Sequence, residues 1–545
     1  MPLDSSLVLI GDPSFVKVSA SDVSGGCACG RFLALKTRPG VKGVNGWQRL
    51  YAPWDTRAPF PLGDVIELVR EADGQVFATY AEQATWLADA MEARKVHRLL
   101  RAYVSHAVDS VLEAHDAITA EIGELRLLRG EPSTGTAEKK LTAWAPLYEA
   151  SGRVREIRRF RFGSARDDEE AARWSLIAAF VAAQSRLSDP PDRVRVVEIG
   201  CLDASVEVLF DGTADEARTA YIASGRSLAT AAAESDHVVP CRSCGDCKAA
   251  GACGSLITAD GVLGQPSRGH SSRSVSPRDL DQYAICPAQW LMDACLHLPR
   301  EPGGGEAAAR GLAVHRWLRA AHARGVACTP GDLPEPSTGL GIADGILTEL
   351  EYEIAYPFLA RHAARCPLAG DSTLVVADDN VYGYDHDAEV VPVIRPDLMY
   401  ACGDRLVVRE FKTAERPYEA GRAEAYEKHS QIAFTIAMLN AGLAASHGAA
   451  SAIVELELLT PEGQFLWSWD ASDPVVASVA AGDVRRAVEN WHQDSMWDTR
   501  PGPYCDWCPV RRWCPDADTW EQAAVAAPPP LGPVAPDTED DRAPF

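Results

Sequence analysis

Positive charge is scarce in this sequence. Its 545 residues carry 53 Lys and Arg against 77 Asp and Glu, a formal net charge of -24. Phosphate contacts depend on clustered basic side chains, so this balance argues against a chain that coats nucleic acid broadly, while leaving room for a local basic groove. Long apolar runs are missing as well. The stretch WSLIAAFVAA is about half the length a membrane span needs, and it reads as a core helix. The opening MPLDSSLVLIGDPSF has no basic segment and places an acidic residue before a short apolar stretch, which argues against a secretory signal. The expectation is a cytoplasmic chain without a membrane partner.

What is present is an ordinary globular composition, 46% hydrophobic and 24% charged, on a chain long enough for roughly two to four domains. The 15 cysteines stand out, because in the cytoplasm they point to metal or redox chemistry before disulfides. Their positions repeat. Cys244, Cys247 and Cys253 form C-x2-C-x5-C, and Cys505, Cys508 and Cys514 form the same pattern 261 residues later. VSASDVSGGCACG lies on VSPRDLDQYAICP at nearly the same offset, pairing Ser19 with Ser276, Asp22 with Asp279 and Cys29 with Cys286. APLYEASGRVREIRRFRF then lies on PDLMYACGDRLVVREFKT, and ARWSLIAAFVAA on EKHSQIAFTIAM. Four ordered blocks at near-constant spacing read as a tandem duplication. The Gly-, Ser- and Pro-rich residues 257–273 read as a linker, and the Pro-rich, late-acidic residues 519–545 as a disordered tail.

In the second copy, two runs rich in Leu, Val, Tyr and Phe flank Gly403-Asp404, a dipeptide suited to a two-residue hairpin turn. That turn places Asp397 directly opposite Glu410, and the period of two along a strand puts Lys412 on the same face. Opposed Cβ atoms lie about 5 Å apart, a spacing at which two carboxylates can share a hard divalent cation. A lysine beside them can position water and offset developing charge.

Pro396-Asp397 and Glu410-Phe411-Lys412 resemble the two hallmarks of the PD-(D/E)XK nuclease superfamily. GLAVHRWL, with Gly311 and His315, resembles the helix of RecB-like members, and Gln431 in SQIAFTIAML resembles the family's glutamine motif, although Thr435 stands where an aromatic is usual. Cys286 with the Cys505, Cys508, Cys514 trio is spaced as in the iron-sulfur nucleases typified by AddB and the CRISPR-associated RecB-like exonucleases. The resemblance implies hydrolysis of DNA phosphodiesters with Mg2+ or Mn2+. His315, Asp397, Glu410 and the Phe411 carbonyl would hold metal, Lys412 would position the attacking water, and Gln431 would assist. It also implies a preference for single strands or free ends, hence an exonuclease, in DNA repair, recombination or antiphage defence. No Walker A pattern appears, so any unwinding falls to a separate helicase or ATPase partner.

Spacing alone does not separate zinc from a [4Fe-4S] cluster, since both accept four thiolates. A cysteine more than 200 residues from its three partners staples the start of a domain to its end, as in the iron-sulfur relatives, and two clusters are expected: Cys29, Cys244, Cys247 and Cys253 in the first copy, Cys286, Cys505, Cys508 and Cys514 in the second. Cys201, Cys295, Cys328, Cys366 and Cys402 read as packing residues. Cys27 and Cys241 sit beside proposed ligands and could replace them.

The first copy lacks the catalytic set: Pro146 falls at Asp397, Arg159 at Glu410, Arg161 at Lys412 and Leu176 at Gln431. Its strand instead carries Arg158, Arg159 and Arg161 interleaved with Phe160 and Phe162, a pattern suited to single-stranded DNA, or else to a strand whose charges balance nearby acids. The expected fold is α/β, with two tandem PD-(D/E)XK-type domains, each a small mixed sheet flanked by helices and closed by a four-Cys cluster. Residues 1–256 form the degenerate domain and 274–518 the active one. Two other readings stay open, a nonenzymatic DNA-end-binding scaffold and a zinc-bearing RNA-processing nuclease.

Overall fold

Two five-stranded sheets organise the chain. In the first half, β1 (Leu125–Leu128), β2 (Leu147–Ala150), β3 (Val154–Arg161), β4 (Arg193–Gly200) and β5 (Val206–Thr213) lie side by side in that order. In the second, β6 (Ser372–Ala377), β7 (Leu398–Cys402), β8 (Arg405–Thr413), β9 (Ser451–Leu459) and β10 (Gln464–Asp470) do the same. The pair directions agree throughout: antiparallel, antiparallel, parallel, antiparallel. This computed structural model describes residues 9–43, 60–267, 273–336 and 345–519. Residues 520–545 of the expected tail and 268–272 of the expected linker lie outside them.

Among the helices that pack around these sheets are α1 (Glu169–Gln184), α2 (Pro277–Ile285), α3 (Glu306–His322), α4 (Glu349–Ala363), α5 (Ser430–Met438) and α6 (Pro474–Gln493). A parallel strand pair needs a crossover; α1 lies in the one between β3 and β4, and α5 in the one between β8 and β9. Both are apolar on most sides. In α5, seven of nine residues are buried, as a helix enclosed by sheet and neighbours requires. Strand β8 is buried from Leu406 to Phe411, which matches its central place beside a parallel neighbour.

The hairpin expected at Gly403-Asp404 forms with the expected register. Leu398 pairs with Arg409, and Cys402 with Arg405 across two residues. Gly403 takes φ 63°, the value a type II′ turn asks of its first central residue and glycine adopts without a Cβ clash. The first-half hairpin differs. Ala150 pairs with Val154, so its loop is three residues long and the register moves by one. Ala145, not Pro146, therefore stands across from Arg159. The sequence match hid this, because both turns contain glycine.

The other matched blocks also adopt like structure. Ser19 and Ser276 each cap a helix with a reciprocal box, closed by Asp22 and Asp279, whose carboxylates accept the serine N–H at 2.8 Å. Small side ladders repeat too: Val16–Ser19 runs parallel to Lys139–Thr142, and Arg273–Val275 parallel to Val390–Ile394. The described part of the expected linker is not a free tether. Ile257–Thr258 pairs in parallel with Gly383 and Tyr384, and Val262 and Leu263 are buried. Its scattered apolar residues decide this against the Gly and Ser around them. The halves also meet where Tyr103 sets its ring edge-on to Trp513 at 5.2 Å and Arg98 pairs with Asp498 at 3.0 Å. Among the described residues, no helix is long and apolar enough to cross a membrane.

Candidate metal and cluster sites

The central strand and its neighbours bring five separated residues to one point. Asp397 lies just before β7, Glu410 and Lys412 share a face of β8, His315 comes from α3 and Gln431 from α5. The His315 Nδ1 is 2.9 Å from Asp397 Oδ1. The Phe411 N–H donates to Asp397 Oδ2 at 2.7 Å, and Gln431 Nε2 donates to Glu410 Oε2 at 3.4 Å. Lys412 Nζ stands 3.7 Å from the same Glu410 oxygen. The carboxylates are the sheltered members, at 8% and 11% exposure, while Lys412 and His315 reach 25% and 30%. A ligand from solvent thus meets the cationic groups first. In an extended strand a residue's N–H and C=O project to the same side, so the Phe411 carbonyl also faces the Asp397 edge.

Electrostatics shows what this donor set requires. Burial and the neighbouring Asp397 carboxylate push Glu410 up from its usual 4.5 to about 8. Burial opposes ionisation of Asp397 as well, but His315, Lys412 and the Phe411 N–H outweigh it and hold that acid at about 2. His315 is raised: burial works against its charge, and Asp397 prevails. Two close carboxylates, an imidazole and a backbone carbonyl, with one proton retained near neutrality, are a set that a divalent cation would complete. Glu410 has a folded pKa above its unfolded one, so its contribution to stability is full below about pH 4.5 and is lost as pH rises through about 8. Thermal unfolding in EDTA should therefore show stability declining across that window. Mn2+ should remove the decline, and so should Glu410→Gln; an unchanged slope in Glu410→Gln would locate it elsewhere.

Three further groups border the site without any local pattern to announce them. Asp281 on α2 accepts a hydrogen bond from Ser430 Oγ at 2.7 Å, and burial, eased by that bond and by Lys412, puts it at about 6. Asp378 pairs with Arg395 at 2.9 Å and is raised by burial and by Asp397. His429, bonded to Tyr418 Oη at 2.8 Å, is lowered to about 3 by burial and by Lys412 and Lys428. Each arrives from a different element, so only the folded chain reveals them.

The eight candidate cluster cysteines gather in two places. Cys29, Cys244, Cys247 and Cys253 line one cavity, walled by Phe32, Val238 and Leu256. Cys27 and Cys241 turn to one another, with Sγ atoms 2.6 Å apart. In the second half, Cys286 lies close enough to Cys505, Cys508 and Cys514 for charge on it to oppose charge on them. In each half a backbone N–H three residues upstream donates to the first thiol of the trio, from Cys241 to Cys244 at 3.2 Å and from Gly502 to Cys505 at 3.4 Å. Burial pushes the Cys247 and Cys508 thiols up to about 12, so holding them as thiolates calls for compensating cationic charge, which a bound metal would supply.

The arginine strand of the first half does not face solvent. Arg158 is fully buried, its Nε donates to Glu156 at 2.7 Å, and its guanidinium lies 4.3 Å from the Tyr148 ring centroid. Arg159 bonds Glu170 and sits 3.1 Å from Glu198, while Arg161 donates to Glu198 at 2.5 Å. The expectation of arginine forks open to single-stranded DNA is corrected for these three: their charges balance buried acids. Glu156 shares the strand, but Glu170 and Glu198 come from separate segments that the strand's own sequence does not contain.

No curated protein matches this chain. A solved structure described as "Crystal structure of SSO0001" is similar at 13% identity over 45% of this chain and 86% of that one, with a TM-score of 0.19. Residues 274–515, the half that carries Asp397, Glu410 and Lys412, match the family model of the PD-(D/E)XK nuclease superfamily.

Proposed function

We propose that the second half hydrolyses DNA phosphodiester bonds with Mg2+ or Mn2+. The convergence of Asp397, Glu410, Lys412, His315 and Gln431 on one partly open point carries this reading. Asp397, Glu410, His315 and the Phe411 carbonyl hold the cation, which when bound supplies Lewis-acid polarisation of the scissile phosphate. Lys412 orients the attacking water and its ammonium offsets the charge that develops on the phosphate oxygens. Gln431 holds the Glu410 carboxylate in place, and Phe411 N–H does the same for Asp397. Cleavage from DNA ends is favoured, with a separate helicase or ATPase supplying unwinding.

The first half is read as a degenerate copy. Matching strand order and directions, paired capping boxes and paired N–H to sulfur bonds support that descent. Arg159 and Arg161, locked onto Glu170 and Glu198, stand where the second half has Glu410 and Lys412, so this copy lacks the hairpin's carboxylate pair and serves as a support. Each half holds a [4Fe-4S] cluster on its four cysteines. Anaerobically purified protein should be brown and carry about eight iron atoms per chain, and Cys508→Ser should remove roughly half; zinc in place of iron would replace the clusters by structural zinc sites. End-labelled single- and double-stranded DNA, incubated with this protein and Mg2+ or Mn2+, tests the activity. Cleavage abolished by EDTA supports the proposal, and inert, cluster-loaded protein on every substrate would sink it.

A further inference from the structure

A second metal-ligating group lies behind the central strand. His322 ends α3, Cys328 follows it in the next loop, His362 sits near the end of α4 and Cys366 just beyond. All four are buried, and their ligand atoms lie within 4.8 Å of one another. The two Nε2 atoms face each other at 3.0 Å, the two sulfurs are 3.4 Å apart, and His322 Nε2 is 3.3 Å from Cys328 Sγ and 3.7 Å from Cys366 Sγ. Bond lengths of about 2.3 Å to sulfur and 2.0 Å to nitrogen imply tetrahedral edges of about 3.8 Å between sulfurs, 3.3 Å between nitrogens and 3.5 Å between the two kinds. These four separations agree within a few tenths of an ångström.

We propose that His322, Cys328, His362 and Cys366 hold one structural zinc ion. Two thiolates and two neutral imidazoles neutralise Zn2+ or nearly so, which suits a fully buried site, and a tetrahedral S2N2 set selects zinc. A two-iron cluster fits poorly, because it would place the cysteines and histidines on different irons and hold them further apart. The surroundings are those of a supported metal ligand. His362 Nδ1 donates to Glu457 Oε1 at 2.6 Å, and Glu457 also accepts from Arg409 at 2.7 Å and Gln464 at 2.7 Å. A carboxylate behind a ligating imidazole fixes its tautomer and orientation.

The ion would act on the nuclease site through Phe411. That ring, on the opposite face of β8 from Glu410 and Lys412, packs against both imidazoles, 5.7 Å from His322 and 5.0 Å from His362. His315 and His322 stand two turns apart on α3, so joining α3 to α4 behind the strand also fixes the helix that presents His315 in front. The zinc is a positioning element and takes no part in the chemistry.

Metal analysis of the full-length protein should find about one zinc per chain in addition to iron. X-ray absorption at the zinc edge should report two sulfur and two nitrogen ligands. Cys366→Ser should lose the zinc and keep the iron. Glu457→Gln, which retains all four ligands, should weaken zinc retention against a chelator by about 10- to 100-fold. Wild-type protein that takes up no zinc even when supplemented, a four-sulfur shell, a Cys328–Cys366 disulfide, or zinc content unchanged in Cys366→Ser would each overturn the proposal. If Cys366→Ser does not fold, the ligand shell of the wild type decides.

Discussion

Asp397→Ala should abolish cation-dependent cleavage, lowering the rate at least about 10^3-fold while DNA binding persists. The residue is coupled to three parts of the site at once: it pairs with His315 through one oxygen, accepts from the Phe411 N–H through the other, and its charge opposes ionisation of Glu410. Alanine removes a metal ligand and also frees a backbone donor, so the gentler Asp397→Asn is the sharper probe. It can still accept from Phe411 N–H but no longer brings charge to a cation. Both variants should be inactive, the asparagine form should unfold near the wild-type temperature, and Glu410 should ionise at lower pH once its charged neighbour is gone. Loss of DNA binding in step with activity would favour a scaffold in which these residues only shape the surface. Full activity in the asparagine form would remove Asp397 from the metal set.

Arg158→Ala should cost about 3–5 kcal/mol, because it leaves the buried Glu156 carboxylate without its closest partner. Against a domain stability of about 5–15 kcal/mol this is a large fraction, and it should lower the melting transition by roughly 10 °C. A double variant, Glu156→Gln with Arg158→Met, should recover much of the loss, since no buried carboxylate is then left unpaired and Arg195, 3.5 Å from Glu156, keeps Glu121 at 3.3 Å. The salt dependence of DNA binding should stay as in the wild type, because a fully buried guanidinium releases no counterion from phosphate. A variant that folds as stably as the wild type yet binds DNA with a shallower salt slope would restore the arginine strand as a DNA contact.

These two expectations fall on opposite sides of what could be read from the chain. The Asp397, Glu410 and Lys412 arrangement was legible because a two-residue turn at Gly403-Asp404 and the period of two along a strand are local rules; they predict which residues face each other without knowledge of anything outside the hairpin. His315 and Gln431 were legible through resemblance, and their distances to Asp397 and Glu410 required the fold. For Arg158, Arg159 and Arg161 local reading went astray. A basic, aromatic strand looks alike whether it meets solvent or acids, and the carboxylates that neutralise it come from β3 itself, α1 and β4. Cys328 and Cys366 belong to no close-spaced cysteine motif, so the sequence offers only a packing role for them; their nearness to His322 and His362 comes from the folded chain.

By itself, the sequence determined the second half's hairpin, its register, the repeated cysteine spacing and the loss of the Asp397 and Glu410 counterparts from the first half. All of these depend on contacts between residues close in the chain, or on identity counted along it. Only the tertiary structure decided which charges are buried, which side chains share a point in space, and that a His2Cys2 group stands behind the central strand. Those properties depend on the strand crossovers and helix packing that bring distant segments together, and no local pattern records which segments will meet.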